Sequence, residues 1–79
     1  MSETVLEVIR EVLVDVRGID PAEVTAEARL TDDLGVDSLD AVQIILALED
    51  HYGREVDDES IEDLETVGDI VSLIESLID

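Results

Sequence analysis

Apolar residues recur along this chain with helical spacing, and neither the alternation of strands nor a hairpin turn is present. The pattern predicts helices over residues 3–17, 38–52 and 67–78, and a short helical piece over residues 58–64. A long connection covers residues 18–37. The prediction is therefore an all-α fold, a small four-helix bundle with a long loop between helices 1 and 2 and a short third helix.

Local signals mark the ends of these helices. Gly18 follows the first helix, and glycine readily adopts the left-handed conformation that ends a helix. Thr4 or Ser2 caps the start of that helix, and Thr66 with Asp69 forms an acidic variant of the capping box at the start of the last. The predicted buried faces are Val5, Ile9, Val12 and Val16 in the first helix, with Leu6 and Leu13 beside them, and Val67, Ile70, Val71, Ile74 and Ile78 in the last.

The connection between the first two helices is long enough to suggest a function of its own. Asp20 and Pro21 predict a cap followed by proline in the first position of a short turn. Spaced apolar residues would hold the rest of the loop against the core. They are Val24, Leu30 and Leu34.

The second helix carries two apolar faces, and a bundle of 79 residues can hardly bury both. We predict that one face is core and the other is exposed, because an apolar stripe rimmed by acids suits a basic partner with a hydrophobic centre. The alternative is that Leu39 packs under the long loop. The core face holds Ile44, Ile45, Leu48 and Tyr52; the other holds Leu39, Val42 and Leu46, flanked by Gln43, Glu49 and Asp50.

Composition excludes several classes of function. Four basic residues against 23 acidic ones give a formal net charge of −19, which repels nucleic acid and anionic lipid and attracts basic partners. The absence of cysteine excludes disulfides, thiolate metal sites and a cysteine nucleophile. No apolar run has membrane-spanning length, and no signal or transit peptide is evident. We expect a cytoplasmic monomer, or the mature form of an organelle protein, without membrane insertion.

Ser38 stands out because it lies where the long loop meets the second helix. Free backbone N–H groups and the positive end of the helix dipole favour a phosphate there. Gly35 allows a tight approach to the helix, and Asp37 and Asp40 flank the hydroxyl. These acids could bind a divalent cation or basic residues of a modifying enzyme, or they could only favour the helix dipole. Asp-Ser before a helix is also common capping chemistry.

The sequence predicts neither catalysis nor a specific metal site. Counting from Asp32 or Asp33, neither the glycine nor the glutamate of an EF-hand falls in place, although loose association of divalent ions is expected. His51 is the only histidine, and no evident nucleophile accompanies it. No phosphate loop, Rossmann glycine pattern or zinc spacing occurs. We therefore expect a protein that is not an enzyme.

The stretch from Leu34 to Asp40 (LGVDSLD) resembles the modification site of the acyl carrier proteins. The helix from Ala41 to Glu49 and the start of the last helix at residues 66–69 are also similar to that family. The resemblance covers the whole chain and implies one free-standing acyl carrier domain, residues 1–79, of the bacterial fatty-acid or polyketide type. It further implies that a phosphopantetheinyl transferase, using magnesium, moves a 4′-phosphopantetheine arm from coenzyme A to Ser38.

The resemblance also implies how partners and acyl chains are bound. Basic patches of acyl synthases, reductases, dehydratases and acyltransferases would dock on the exposed face of the second helix. The resemblance favours fatty-acid synthesis as the pathway. Gln43 replaces a usual glutamate and Ile61 a usual alanine, and these departures leave open a dedicated carrier for a polyketide or other specialised lipid. An unmodified acidic interaction module also stays open. The implied docking residues are Leu39, Val42, Gln43, Leu46, Glu49 and Asp50, and the implied acyl-chain pocket is Leu48, Val56, Ile61 and Leu64.

Overall fold

The structure, a computed structural model, describes residues 4–78, except for the side chain of Asp58. These residues form four helices, α1 (Val5–Arg17), α2 (Ser38–Tyr52), α3 (Asp58–Glu62) and α4 (Val67–Ile78), and no strand. The predicted all-α fold with a long first loop and a short third helix is thus confirmed. No helix in the described part of the chain has both the length and the apolarity needed to cross a bilayer.

The predicted ends of the helices are nearly right. α1 begins at Val5, two residues later than expected, and Thr4 caps it by accepting a hydrogen bond from the N–H of Glu7 at 3.2 Å. The other candidate cap, Ser2, lies outside the described residues. α3 ends at Glu62, two residues before the predicted end, because the chain turns there toward the start of α4.

α1 packs against both α2 and α4, and the core lies between these three helices. Because α1 faces two neighbours, its buried face is broader than predicted and includes Val8, which the sequence prediction missed. Ile78 was expected in the buried face of α4 but is 39% exposed, since it lies in the last turn. The fully buried side chains are Ile9, Leu13, Val24, Ile44, Ile45, Leu48, Val67, Ile70 and Ile74.

The loop between α1 and α2 is fixed to the bundle, as predicted. A single 3-10 turn, Pro21–Glu23, follows the Asp20 cap, and Val24, Leu30 and Leu34 are all buried. Backbone hydrogen bonds join the loop to the segment before and at the start of α4. They run from Leu30 N to Glu65 O at 2.9 Å, from Val67 N to Ala28 O at 3.0 Å, and from Gly68 N to Ala26 O at 2.8 Å.

Candidate functional site

α2 begins with a reciprocal capping box. Asp37 Oδ1 accepts a hydrogen bond from the N–H of Asp40 at 2.8 Å, and Asp40 Oδ2 accepts one from the N–H of Asp37 at 3.4 Å. The bond from the Asp40 amide is the main reason that the pKa of the Asp37 carboxyl lies below its usual value, and the nearby Arg17 guanidinium acts in the same direction. The two acids therefore set the start of the helix themselves.

Ser38 is the first residue of α2, and its side chain is exposed. Since Asp37 supplies the cap, the Ser38 hydroxyl is not needed for this role, and it makes no hydrogen bond to another residue within 4–78. Capping thus does not explain this serine. An exposed hydroxyl without an internal partner, at the positive end of a helix, fits a group attached through a phosphate.

Arg17 joins α1 to the residues on either side of Ser38. Its Nη2 donates to Gly35 O at 3.1 Å, and its Nε lies 3.3 Å from Asp40 Oδ2. The Asp40 side chain is only 16% exposed, since it pairs with Arg17 and takes part in the capping box. Residues 4–78 contain no group of three or more side chains placed to hold a metal ion. The structure thus brings Asp37, Ser38 and Asp40 together, with both acids bound within the protein.

A cavity of about 650 Å³ adjoins the Ser38 side chain. Of the four residues predicted to form an acyl-chain pocket, Ile61 and Leu64 line this cavity, whereas Leu48 is fully buried in the core and Val56 is half-buried elsewhere. The other lining residues could not be foreseen from periodicity, because they meet only through the packing of α3 and the loop on α2. They are Leu30, Thr31, Val36, Asp37, Ala41, Val42 and Glu62.

The second apolar face of α2 is open to solvent. Leu39 is 69% exposed, Leu46 57% and Val42 40%, which excludes the alternative that Leu39 packs under the loop. Gln43 and Asp50, which flank this stripe, are exposed as well. Exposed apolar side chains in one row are a common feature of protein-binding surfaces.

Glu49, the remaining predicted docking residue, has an internal partner. It is half-buried, and its Oε2 accepts a hydrogen bond from the N–H of Val56 at 2.6 Å. Its carboxylate therefore holds the connection between α2 and α3. No local pattern in the sequence predicts this contact, because the two residues approach each other only after the chain reverses at Gly53.

Comparison with known proteins gives one consistent result. The profile of a family described as "PP-binding: Phosphopantetheine attachment site" matches residues 7–74. An acyl carrier protein of Solidesulfovibrio magneticus is 43% identical over 72 residues, which cover 91% of this chain and 92% of that protein. A solved structure from Mycobacterium tuberculosis, assigned to the acyl carrier proteins, aligns with a TM-score of 0.76 and 32% identity over 90% of this chain and 95% of that one.

Proposed function

This chain belongs to the acyl carrier protein family, whose cofactor is 4′-phosphopantetheine, and on that premise we propose that the arm is attached to the Ser38 oxygen. The observation that carries this proposal is the exposed Ser38 hydroxyl at the start of α2, next to an Asp37 that already caps the helix. In the transfer, the serine oxygen forms a phosphodiester bond, adenosine 3′,5′-bisphosphate leaves coenzyme A, and the hydroxyl proton passes to a base of the transferase.

The residues around Ser38 would present the arm rather than perform chemistry. When attached, phosphopantetheine supplies the thiol that carries acyl groups as thioesters. The carrier role implies contacts with a phosphopantetheinyl transferase and with acyl-handling enzymes. The stripe of Leu39, Val42 and Leu46 offers these enzymes an apolar contact beside the attachment point, and the acidic surface attracts basic patches. Such docking would be weak and fast, so that one carrier can visit several enzymes.

We infer that the pathway is fatty-acid biosynthesis and that the chain acts in the cytoplasm as a monomeric single domain without catalytic activity of its own. The likeness of the segment around Ser38 to free-standing bacterial carriers supports the fatty-acid pathway. The absence of a catalytic cluster in the sequence supports the lack of catalytic activity. Ile61 lines the cavity beside Ser38, and this favours a dedicated carrier for a polyketide or other specialised lipid as the second candidate. In such a carrier, the bulky Ile61 side chain would limit the acyl group to a shorter length.

Intact mass spectrometry tests the attachment. The chain is incubated with coenzyme A, magnesium and a broad-specificity phosphopantetheinyl transferase, beside Ser38→Ala and the control Ser72→Ala, which removes another exposed serine. We expect the natural chain and Ser72→Ala to gain one phosphopantetheine and Ser38→Ala to gain none. A gain in Ser38→Ala would contradict the proposal. No gain in a natural chain that is helical by circular dichroism would favour the unmodified interaction module.

Thermal melting of acyl-loaded protein separates the two pathways. Each acyl carbon that enters the cavity removes apolar surface from water and raises the melting temperature. Under the fatty-acid assignment we expect this rise to stop at the same acyl-chain length in the natural chain and in Ile61→Ala. A rise that stops at a shorter acyl chain in the natural chain than in Ile61→Ala would favour the specialised carrier.

A further inference from the structure

The four arginines of this acidic chain have different partners, and one of them contacts the segment around Ser38. Arg10 donates to Val24 O, and Arg54 donates to Leu77 O at 3.2 Å. Arg29 pairs with two acids in its own turn. Arg17 alone among them bonds to residues that flank Ser38.

The position of Arg17 follows from the end of α1. It is the last residue of the helix, and Gly18, in the left-handed conformation with φ of 64°, closes the helix after it. A cation is favoured at a helix C-terminus by the dipole. From there the guanidinium reaches Gly35 O, three positions before Ser38, and Asp40 Oδ2, two positions after it.

Through these contacts, the segment before Ser38 and the first turn of α2 after it are both bonded to the Arg17 guanidinium. Gly35 has a φ of 68°, so the chain reverses there, and its carbonyl is directed at Arg17. Asp40 Oδ2, which pairs with the Arg17 guanidinium, also accepts the hydrogen bond from the Asp37 N–H in the capping box. Loss of the guanidinium would therefore loosen both the turn before Ser38 and the first turn of the helix after it.

We propose that Arg17 is a positioning residue that fixes the orientation of Ser38 for phosphopantetheine attachment, a role that rests on the proposed attachment at Ser38. A guanidinium suits this role because its Nε and Nη2 hydrogens lie in one plane at fixed directions, and the two contacts use these two nitrogens. A lysine keeps the charge but offers one rotating ammonium instead of a planar fork.

Two variants and one matched control test this role. Arg17→Ala removes both the positive charge and the planar guanidinium, and Arg17→Lys removes only the planar guanidinium. Arg54→Ala is the control, because Arg54 is also an exposed arginine that donates to a backbone carbonyl, but at the far end of α4. It gives the same change in net charge as Arg17→Ala. The readouts are kcat and KM for modification by the transferase, and amide hydrogen exchange of the unmodified protein at Ser38, Leu39 and Asp40.

We expect kcat of Arg17→Ala to fall about fivefold, the upper end for a partly exposed ion pair, with less than about a twofold change in KM because the docking stripe is intact. The Asp40 amide, which is bonded to Asp37, should exchange faster in the same variant. Arg17→Lys should lie between the natural chain and Arg17→Ala in both readouts. Arg54→Ala should match the natural chain.

Three results would overturn the role of Arg17 while leaving the attachment at Ser38 intact. Equal amide hydrogen exchange in Arg17→Ala and Arg54→Ala would show that Arg17 does not order the first turn of α2. Faster exchange with unchanged kcat would show that this order does not matter for modification. A raised KM with unchanged kcat would indicate a direct contact with the transferase instead. Failure of the natural chain to be modified would overturn the proposed function as well, and it is recognised because no variant then gives product.

Discussion

Two helices of this protein begin with the same capping chemistry. In α2, Asp37 and Asp40 bond to each other's backbone amides. In α4, Thr66 Oγ1 accepts from the Asp69 amide at 3.2 Å, and Asp69 Oδ2 accepts from the amides of Thr66 at 3.0 Å and Glu65 at 2.9 Å. The local signals for starting a helix are therefore closely similar at both places.

The surroundings of the two starts differ. The first residue of α4, Val67, has no exposed surface, and the amides of Val67 and Gly68 are bonded to Ala28 O and Ala26 O of the long loop. The first residue of α2, Ser38, is exposed and adjoins a cavity. A capping box thus fixes where a helix starts, and packing around it decides whether that start is structural or open to a partner.

Substitutions at the first residue of α4 and of α2 should have the largest effects on stability and on modification. Val67→Ser buries a hydroxyl and removes apolar volume, so we expect the free energy of unfolding to fall by about 3 kcal/mol. Ser38→Ala should change it by less than about 0.5 kcal/mol and abolish modification. Urea unfolding followed by circular dichroism measures the first effect, and intact mass the second. Equal stability of the two variants would contradict the difference between the packed start of α4 and the open start of α2.

The second helical residue should show a smaller contrast. A Cβ on Gly68 would lie 2.9 Å from the backbone oxygen of Ala26, so Gly68→Ala must displace the loop, at a cost of about 1–3 kcal/mol. Leu39→Ala should leave stability within about 0.5 kcal/mol but raise the transferase KM about fivefold, as for a central interface residue. Val14→Ala, which shortens another exposed apolar residue, is the control and should leave KM unchanged.

Acid should weaken both helix starts, and this is the smallest effect. Backbone amides hold the pKa of Asp37 and Asp69 below the usual 3.8, chiefly the amide of Asp40 for the first and of Glu65 for the second. Their stabilising contribution is complete above 3.8 and is lost as the pH falls through the lower pKa of the folded state. The amide of Arg29 lowers the pKa of Asp33 in the same way.

Thermal melting between pH 5 and pH 2 at constant high salt measures this loss, because salt suppresses the general repulsion among the acids (about 3 Å screening length at 1 M). We expect the melting temperature to fall with pH and the fall to be shallower in Asp37→Asn and in Asp69→Asn. Curves for both variants that run parallel to that of the natural chain would contradict the role of these two carboxylates.

The helices and their caps could be predicted because their signals are local. Thr66 with Asp69, and Gly18 after α1, act within one turn of the chain, and the structure has them in these roles. Ser38 could be singled out for the same reason, since a loop, an acid and an amphipathic helix meet at that residue. The exposed face of α2 followed from the excess of apolar residues over what a small core can bury.

The features that sequence reasoning missed depend on residues far apart in the chain. Arg17 reaches Gly35, 18 positions away, and Glu49 reaches Val56 across a chain reversal. The same holds for Val8, whose burial follows from α1 having two neighbours. Helical periodicity describes one helix at a time, so it cannot predict contacts that form only when helices and loop pack together.

Locating the modified residue in the natural chain tests most directly whether the open start of α2 is the functional one. After transfer from coenzyme A, the protein is cleaved, and tandem mass spectrometry maps the phosphopantetheine to a residue. We predict one modified position, Ser38, at the open start of α2. Phosphopantetheine on any other residue, for example Thr66 at the packed start of α4, would contradict the claim that the open helix start is the functional one.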